Sequence, residues 1–378
     1  MPGSPSRIRV GIVGATVTVG GSGWGARAHV PALRALPEYE LKAVCTAHPE
    51  TALASRAAFG AELAFHDYDA MLACPEIDLV SVVTRVPTHY ELVMRALRAG
   101  KAVYCEWPLG ATLAQAEQMA ALAAERSLYT AVGLQARSDP ALMHARELVR
   151  QGFIGEVLAV HFTYLSRATT RRGNGRIWQS DRTNGANILT IGAGHSLDAL
   201  GFVLGGFAQV RAQLATIVTQ WHNTDTGADV PVDSPDWISV SGRLESGAEV
   251  SFLVAAVPVQ PEGERQFEIY GRDGTLAIRA AADSPEHNPS VYHGPNELYV
   301  ARGKAAFAPI ELPPGLRLPP AGVPEGPPRN IARAYARLAD AIREGRPFEP
   351  GFGHAVQAHR LIRALEQSSQ AGRAVSLD

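Results

Sequence analysis

The stretch Ile8–Gly25, IRVGIVGATVTVGGSGWG, constrains the fold of this chain more than any other. A short apolar run, Val10–Val13, passes into a glycine-dense loop and then into Ala26-Arg27-Ala28-His29 and a helix-like ALRAL. Strand, glycine turn and helix N-terminus in that order make a cradle for a dinucleotide pyrophosphate. The helix end supplies unpaired N–H groups and a positive dipole end, and glycine lets the backbone approach the phosphates. The simple G-x-G-x-x-G spacing is replaced by an enlarged turn: Gly14 is followed only after five residues by Gly20-Gly21-Ser22-Gly23-Trp24-Gly25. A flexible surface loop of the same composition is the alternative.

The residues beyond the loop favour the cradle. Leu41–Cys45, Ile77–Val83, Ala102–Cys105 and Tyr129–Leu134 read as further strands, with helices over His29–Leu36, Glu50–Phe59, Thr88–Ala99 and Leu113–Arg126 between them. The run IDLVSVV is apolar but for Asp78 and Ser81, as expected of a strand buried on both faces of a parallel sheet. Repeated β-α-β predicts a doubly wound parallel sheet. Ser138-Asp139-Pro140 then caps a helix running to Gly152.

After Gly155 the pattern changes. Val157–Leu165, Val210–Val218, Trp237–Leu244, Glu249–Val257, Gln266–Tyr270 and Thr275–Ile278 read as strands joined by turns such as Ser246-Gly247 and Asp273-Gly274. One helix, Asn187–Leu204, interrupts them. The proline-rich stretch Ala282–Pro328 reads as irregular surface, and Asn330–Glu344 and Gly353–Gln370 as terminal helices. The expected architecture is α/β followed by α+β: a Rossmann domain over 1–136, then over 137–378 a domain with a large, mainly antiparallel sheet and helices.

Composition sets the class. With 378 residues, 46% apolar and 19% charged, the chain is long enough for two domains with sizeable cores. A net charge of −2 gives no electrostatic case for a nucleic-acid or anionic-membrane partner. MPGSPSRIRV lacks the apolar core of a signal peptide and no run reads as a bilayer span, so a cytoplasmic location is expected. Cys45, Cys74 and Cys105 are too widely spaced for a disulfide framework or a zinc site. His222, Asp225 and Asp229 lie in a polar loop without metal-ligand register, so no metal is expected.

These residues resemble the Gfo/Idh/MocA oxidoreductase family. The matching pieces are the glycine loop, Thr84…His89, Cys105-Glu106-Trp107-Pro108, Gln135-x-Arg137 and Gly194-His195-Ser196-Leu197-Asp198. The EW pair, LQxRxxP, a helix ending QGFIG and a GHxxD helix are closest to its Gal80-like branch, whose founder is a nicotinamide-nucleotide-binding regulator rather than an enzyme. The resemblance implies hydride transfer between NAD or NADP and a carbohydrate- or polyol-like substrate. It implies cofactor contacts from Gly14, Thr16, Gly23, Trp24, Thr46, Thr84, His89, Glu106, Trp107 and Gln135. It also implies substrate contacts from Arg137 and Asp198, and Trp178 is expected to bind substrate from its place in the polar, aromatic stretch before the His195 helix.

Two customary catalytic positions are changed. The family's Glu-Lys-Pro is Glu106-Trp107-Pro108 here, and an indole N–H donates a hydrogen bond but takes no proton. Lys101 begins the same strand, and five residues at about 3.3 Å each place it roughly 16 Å from Glu106. Lys42 opens another strand on the same distant edge, Lys304 lies in the irregular stretch, and Arg137 stays protonated. Glu106 is implied to bind cofactor or substrate, with a capping carboxylate as the alternative. An aspartate often found four residues before the histidine is Ile191 here. His195 therefore remains the candidate for proton transfer, because imidazole titrates where such catalysis needs it. Asp198 either bonds His195 or anchors the helix, and His89 is either a cofactor residue or a solvated first-turn residue.

The end of the second strand bears on cofactor choice. An acidic residue there would accept bonds from the ribose 2′-hydroxyl and repel a 2′-phosphate. Cys45-Thr46-Ala47-His48 has none, which tilts the expectation toward NADP, with NAD open. Between Arg167 and Arg182, Arg171, Arg172, Arg176, Trp178 and Asp181 suit a polyol, or alternatively form a solvated loop. The uncovered face of the second-domain sheet predicts a homodimer or homotetramer.

Overall fold

The computed structural model describes residues 7–17, 23–167, 170–257, 264–281, 290–317 and 321–377. Gly20, Gly21 and Ser22 of the glycine loop therefore lie outside the described residues. The chain divides into two compact units: Met1–Gly133 with Pro319–Gln357, and Leu134–Leu318 with Ala358–Asp378.

The first unit is built on a parallel sheet of β1 (Ile8–Val13), β2 (Tyr39–Cys45), β3 (Leu63–Phe65), β4 (Leu79–Val82), β5 (Ala102–Glu106) and β6 (Thr130–Gly133). Its order is β3-β2-β1-β4-β5-β6, so the winding reverses beside β1. A crevice for ligands opens at the carboxyl ends of the strands at such a reversal. The crossovers are α1 (Val30–Ala35), α2 (Pro49–Phe59), α3 (Tyr68–Ala73), α4 (Val86–Arg98) and α5 (Leu113–Glu125). All four residues of β4 are buried, including the polar Ser81 among its apolar neighbours.

The second unit opens with α6 (Pro140–Arg150), whose N-cap Asp139 accepts from the N–H groups of Ala141 and Leu142. Next come β7 (Val157–Arg167) and β8 (Arg171–Arg172), then a π-helical turn over Ile188–Ala193 that runs into α7 (Gly194–Leu204). The later strands are β9 (Phe207–Ala215), β10 (Gln220–Asn223), β11 (Asp229–Pro231), β12 (Trp237–Leu244), β13 (Glu249–Val257), β14 (Glu264–Gly271), β15 (Gly274–Ala280), β16 (Asn296–Arg302), β17 (Ala308–Pro309) and, at the far end, β18 (Val375–Ser376). Nine of them form one sheet, β17-β16-β15-β14-β7-β13-β12-β9-β18, antiparallel except for the β7–β13 pair. The other three form a small sheet, β11-β10-β8. Arg182–Leu204 is long and apolar enough to cross a membrane by composition, but 72% of that window is buried inside the protein, as a core helix is.

After the one-turn α8 (Pro314–Arg317) the chain returns to the first unit as α9 (Pro328–Glu344), and the division of units falls inside α10 (Phe352–Ala371). This corrects the expected 137–378 domain, since Pro319–Gln357 packs with the parallel sheet. The cause is the buried stripe Ile331, Tyr335, Leu338 and Ala339 on α9, which joins the core formed by Val10, Ile12, Leu33 and Tyr39. Pro350 O also accepts from Val132 N of β6. The proline-rich stretch likewise holds a strand of the main sheet, β16, in place of the expected irregular surface.

Candidate functional site

In the first unit, β1 is followed by Gly14, which has φ +96°, and a Cβ there would overlap the Val83 carbonyl. Gly25 opens the following π-helical turn, Gly25–His29, and a Cβ on it would lie 3.0 Å from Ala15 Cα. Both positions therefore favour glycine, and the order strand, glycine, helical turn along the described residues is the one that accepts a dinucleotide pyrophosphate. Thr16, Gly23 and Trp24 belong to this loop, with Gly23 at φ +62°. At the end of β2, the Thr46 hydroxyl donates to His48 O (3.1 Å) and lies 2.6 Å from Thr51 Oγ1. Thr84, beyond β4, bonds the Thr88 hydroxyl at 2.8 Å.

Glu106 closes β5 opposite Gly133 of β6, and any Cβ at Gly133 would overlap its carboxylate. The carboxylate is held by a residue that sequence reasoning gave no role, His29. Nε2 of His29 lies 3.0 Å from Glu106 Oε1, Nδ1 lies 2.9 Å from the Tyr335 hydroxyl, and that hydroxyl lies 2.7 Å from Ser81 Oγ. A carboxylate accepts, so Nε2 of His29 donates to Glu106, and the Tyr335 hydroxyl bridges Nδ1 of His29 and the Ser81 hydroxyl.

Trp107 is buried immediately after this carboxylate. His89 is fully enclosed, its ring set between Pro108 O (2.9 Å) and Thr84 O (3.1 Å), and burial lowers its pKa. It pins the end of β4 to the turn after β5 and is not the solvated first-turn residue of the alternative reading. Lys42 is bound to Glu62 and Glu76 at 2.6 and 2.7 Å. Lys101 donates to the carbonyls of Cys74 and Ile77 at 2.9 and 2.8 Å, and Lys304 is exposed.

In the second unit, His195 sits in the first turn of α7, 4% exposed, with Nδ1 buried and without a hydrogen-bond partner. Its ring stacks on Tyr292, centroids 4.1 Å apart and planes 17° from parallel. Burial pushes its pKa down to about 3; Asp198 opposes that shift and His293 adds to it. The imidazole is therefore neutral, able to bond through either nitrogen. Asp198 is engaged by Arg137. Both of its oxygens accept from Arg137 at 2.8–3.0 Å, a buried bidentate pair that fixes α7 to the turn before α6. The expected substrate contacts Arg137 and Asp198 are thus committed to each other. Trp178 Nε1 donates to Gly175 O at 2.9 Å. Gln135 is 4% exposed, and its Oε1 is buried without a partner.

Tyr292 also lines a cavity of about 190 Å³ in this unit, walled among others by Arg172, Arg176, Asn187, Ile191, Trp221 and Asp236. At roughly 30 Å³ per water, that is room for about six waters. Sequence reasoning takes the two arginines as part of a loop but misses Tyr292, which lies in the proline-rich stretch. It also misses Arg265 of β14, paired in register with Tyr164, whose three guanidinium nitrogens are buried without hydrogen-bond partners.

Comparison with known proteins identifies the fold and the family. Residues 8–134 match the oxidoreductase family with an NAD-binding Rossmann fold, and residues 140–280 match the Gal80p C-terminal domain. Dehydrogenase aclE of Aspergillus oryzae is 34% identical over 72% of this chain and 76% of its own. The galactose/lactose metabolism regulatory protein GAL80 of Saccharomyces cerevisiae is 26% identical over 98% of this chain and 94% of its own. Levoglucosan dehydrogenase of Pseudarthrobacter phenanthrenivorans is 25% identical over 92% and 94%. A solved levoglucosan dehydrogenase, in complex with NADH and L-sorbose, shares the fold with a TM-score of 0.83 at 24% identity, over 98% of this chain and 99% of that one.

Proposed function

The chain belongs to the Gfo/Idh/MocA oxidoreductase family, and from that premise we propose that it is an NAD(P)-dependent dehydrogenase acting on a CH–OH group of a carbohydrate- or polyol-like substrate. The observation that carries this reading is His195, a neutral imidazole with an unpartnered nitrogen, stacked on the tyrosine that lines the cavity. Oxidising an alcohol requires its hydroxyl proton to leave, and His195 is the base we assign to it; its burial-lowered pKa of about 3 must rise when ligand binds for the ring to hold that proton. The bound nicotinamide supplies the hydride acceptor. Gly14, Gly25 and the helix after them hold the pyrophosphate, and Glu106, oriented by His29, accepts from a hydroxyl. The levoglucosan dehydrogenase relative supports a sugar-like substrate. The absence of a carboxylate at Thr46-Ala47-His48 supports NADP over NAD.

A second reading, a nicotinamide-nucleotide-binding regulator without turnover, is supported by the nearly full-length likeness to GAL80 and by the commitment of Arg137 and Asp198 to each other. A third is a redox-neutral enzyme that keeps its cofactor. One assay separates the three: purified protein with NAD or NADP against a panel of sugars and cyclitols, read at 340 nm. We expect net cofactor reduction with at least one compound. Cofactor binding without reaction across the panel would establish the regulator. Product formed on retained cofactor with no net absorbance change would establish the redox-neutral enzyme.

A further inference from the structure

We propose that the cavity beside Tyr292 is an anion receptor: the ligand it takes is a polyhydroxylated compound bearing a carboxylate or phosphate, bound through Arg172 and Arg176. The proposal deepens the reading of this unit as the substrate domain and rests on it.

Arg172 and Arg176 both line the cavity. Arg172 is fixed in place: its Nη1 donates to Gln179 Oε1 at 2.8 Å, and its guanidinium lies 4.1 Å from the centroid of the Trp221 ring. Its Nε is buried and has no hydrogen-bond partner, a costly state for a charged donor in the absence of a ligand. Among the described residues, neither arginine is paired with a carboxylate. Burial, and then the charge of Arg176, push the Arg172 pKa down to about 10.

Among the described residues, the cavity wall contains one carboxylate, Asp236, and it is already used. Its two oxygens accept from the backbone N–H groups of Ile217 and Val218 at 2.7 and 2.8 Å. Arg265 adds positive charge behind Tyr164, a third aromatic of the wall, with Asp139 as its countercharge. The field inside is therefore positive, and two planar guanidinium forks are the donors that carboxylate and phosphate oxygens match in pairs. Asn187, Ser234 and the aromatic faces of Trp221 and Tyr292 leave the rest of the wall suited to hydroxyls and C–H surfaces.

The test is a titration of the full chain, with cofactor present, by calorimetry and by tryptophan fluorescence. The probes are inorganic phosphate, D-gluconate and D-glucose 6-phosphate, with neutral D-glucitol as the matched polyol. We expect at least one of the two anionic sugar derivatives to bind tenfold or more tightly than D-glucitol, and that advantage to vanish in Arg176→Gln and Arg172→Gln. Arg176 is exposed, so its variant retains the fold, which an unchanged melting temperature verifies. The ratio of gluconate to glucose 6-phosphate affinity decides between carboxylate and phosphate. Equal affinity for neutral and anionic probes, no binding of any anion, or anion binding that survives both substitutions would overturn the proposal. Anion binding lost in the variants without any change at 340 nm would uphold the receptor and sink the dehydrogenase reading.

Discussion

His29 and His195 are two buried histidines, each at the junction of a π-helical turn and an α-helix, and they end in opposite states. In the first unit, His29 has both nitrogens bonded, one to Tyr335 and one to Glu106. In the second, His195 has Nδ1 unpartnered and its face against Tyr292. The π-turn does similar work in both places, rotating a side chain away from where a regular helix would aim it. What differs is what waits at the end. A histidine whose donors and acceptors are all engaged holds its neighbours still. One left with a buried, unpartnered nitrogen carries the cost of that unused bonding capacity in stability.

Exchanging each ring for a group that cannot bond makes the sharpest contrast. His195→Ala is expected to lower turnover by about 10²- to 10⁴-fold, the range for loss of a general acid or base, with cofactor affinity changed by less than about twofold. His29→Ala should instead destabilise the protein by about 2–4 kcal/mol, because it strands the Tyr335 hydroxyl and the Glu106 carboxylate. Denaturant unfolding together with kcat measures both. If His195→Ala costs only stability, the two histidines are alike and the distinction falls.

Acid titration gives the next largest effect. His195 and His359 have folded-state pKa values lowered by burial to about 3 and about 4, and burial lowers that of His89 as well. The unfolded chain binds these protons first, so stability is complete above about pH 6.5. It then falls as pH drops, by up to about 1.4 kcal/mol per unit for each such histidine. Melting temperature should decline from pH 6.5 toward pH 4, and His359→Gln should flatten that decline. A melting temperature constant across the window would contradict the burial of these rings. The smallest effect concerns the end of β2: Thr46→Asp should shift the ratio of NAD to NADP affinity toward NAD by about tenfold.

Five strands of the parallel sheet are readable in the sequence as local apolar runs; the edge strand β3, three half-buried residues, is not. The strands of the main sheet before the proline-rich stretch are readable from their spacing and turns. β16 is not, because its surroundings are rich in proline. The two- to four-residue strands β8, β10 and β11 are too short to show a period. For the site, resemblance points to Glu106 and His195, but their partners are non-local. Tyr335 stands 306 residues from His29, and its position on α9 reads only as one more apolar residue on a helix face. The commitment of Arg137 to Asp198 is equally invisible, since an arginine and an aspartate in two separate motifs suggest ligand contacts as readily as each other. An arginine-rich loop, finally, shows nothing of its missing countercharges until the fold closes a cavity around it.

The return of α9 to the parallel sheet sets a timetable for synthesis. Residues 1–133 emerge first with every strand of their sheet, yet the tyrosine that completes the Glu106 network and the Pro350 carbonyl that meets β6 arrive only with Pro319–Gln357. At ordinary elongation rates the wait lasts roughly ten to forty-five seconds. During that time the nascent sheet presents the apolar surface meant for Ile331, Tyr335 and Leu338 to whatever is nearby. A chain cut short before α9 would keep the glycine cradle but leave that surface bare, making it a client for chaperones rather than a free-standing nucleotide-binding fragment.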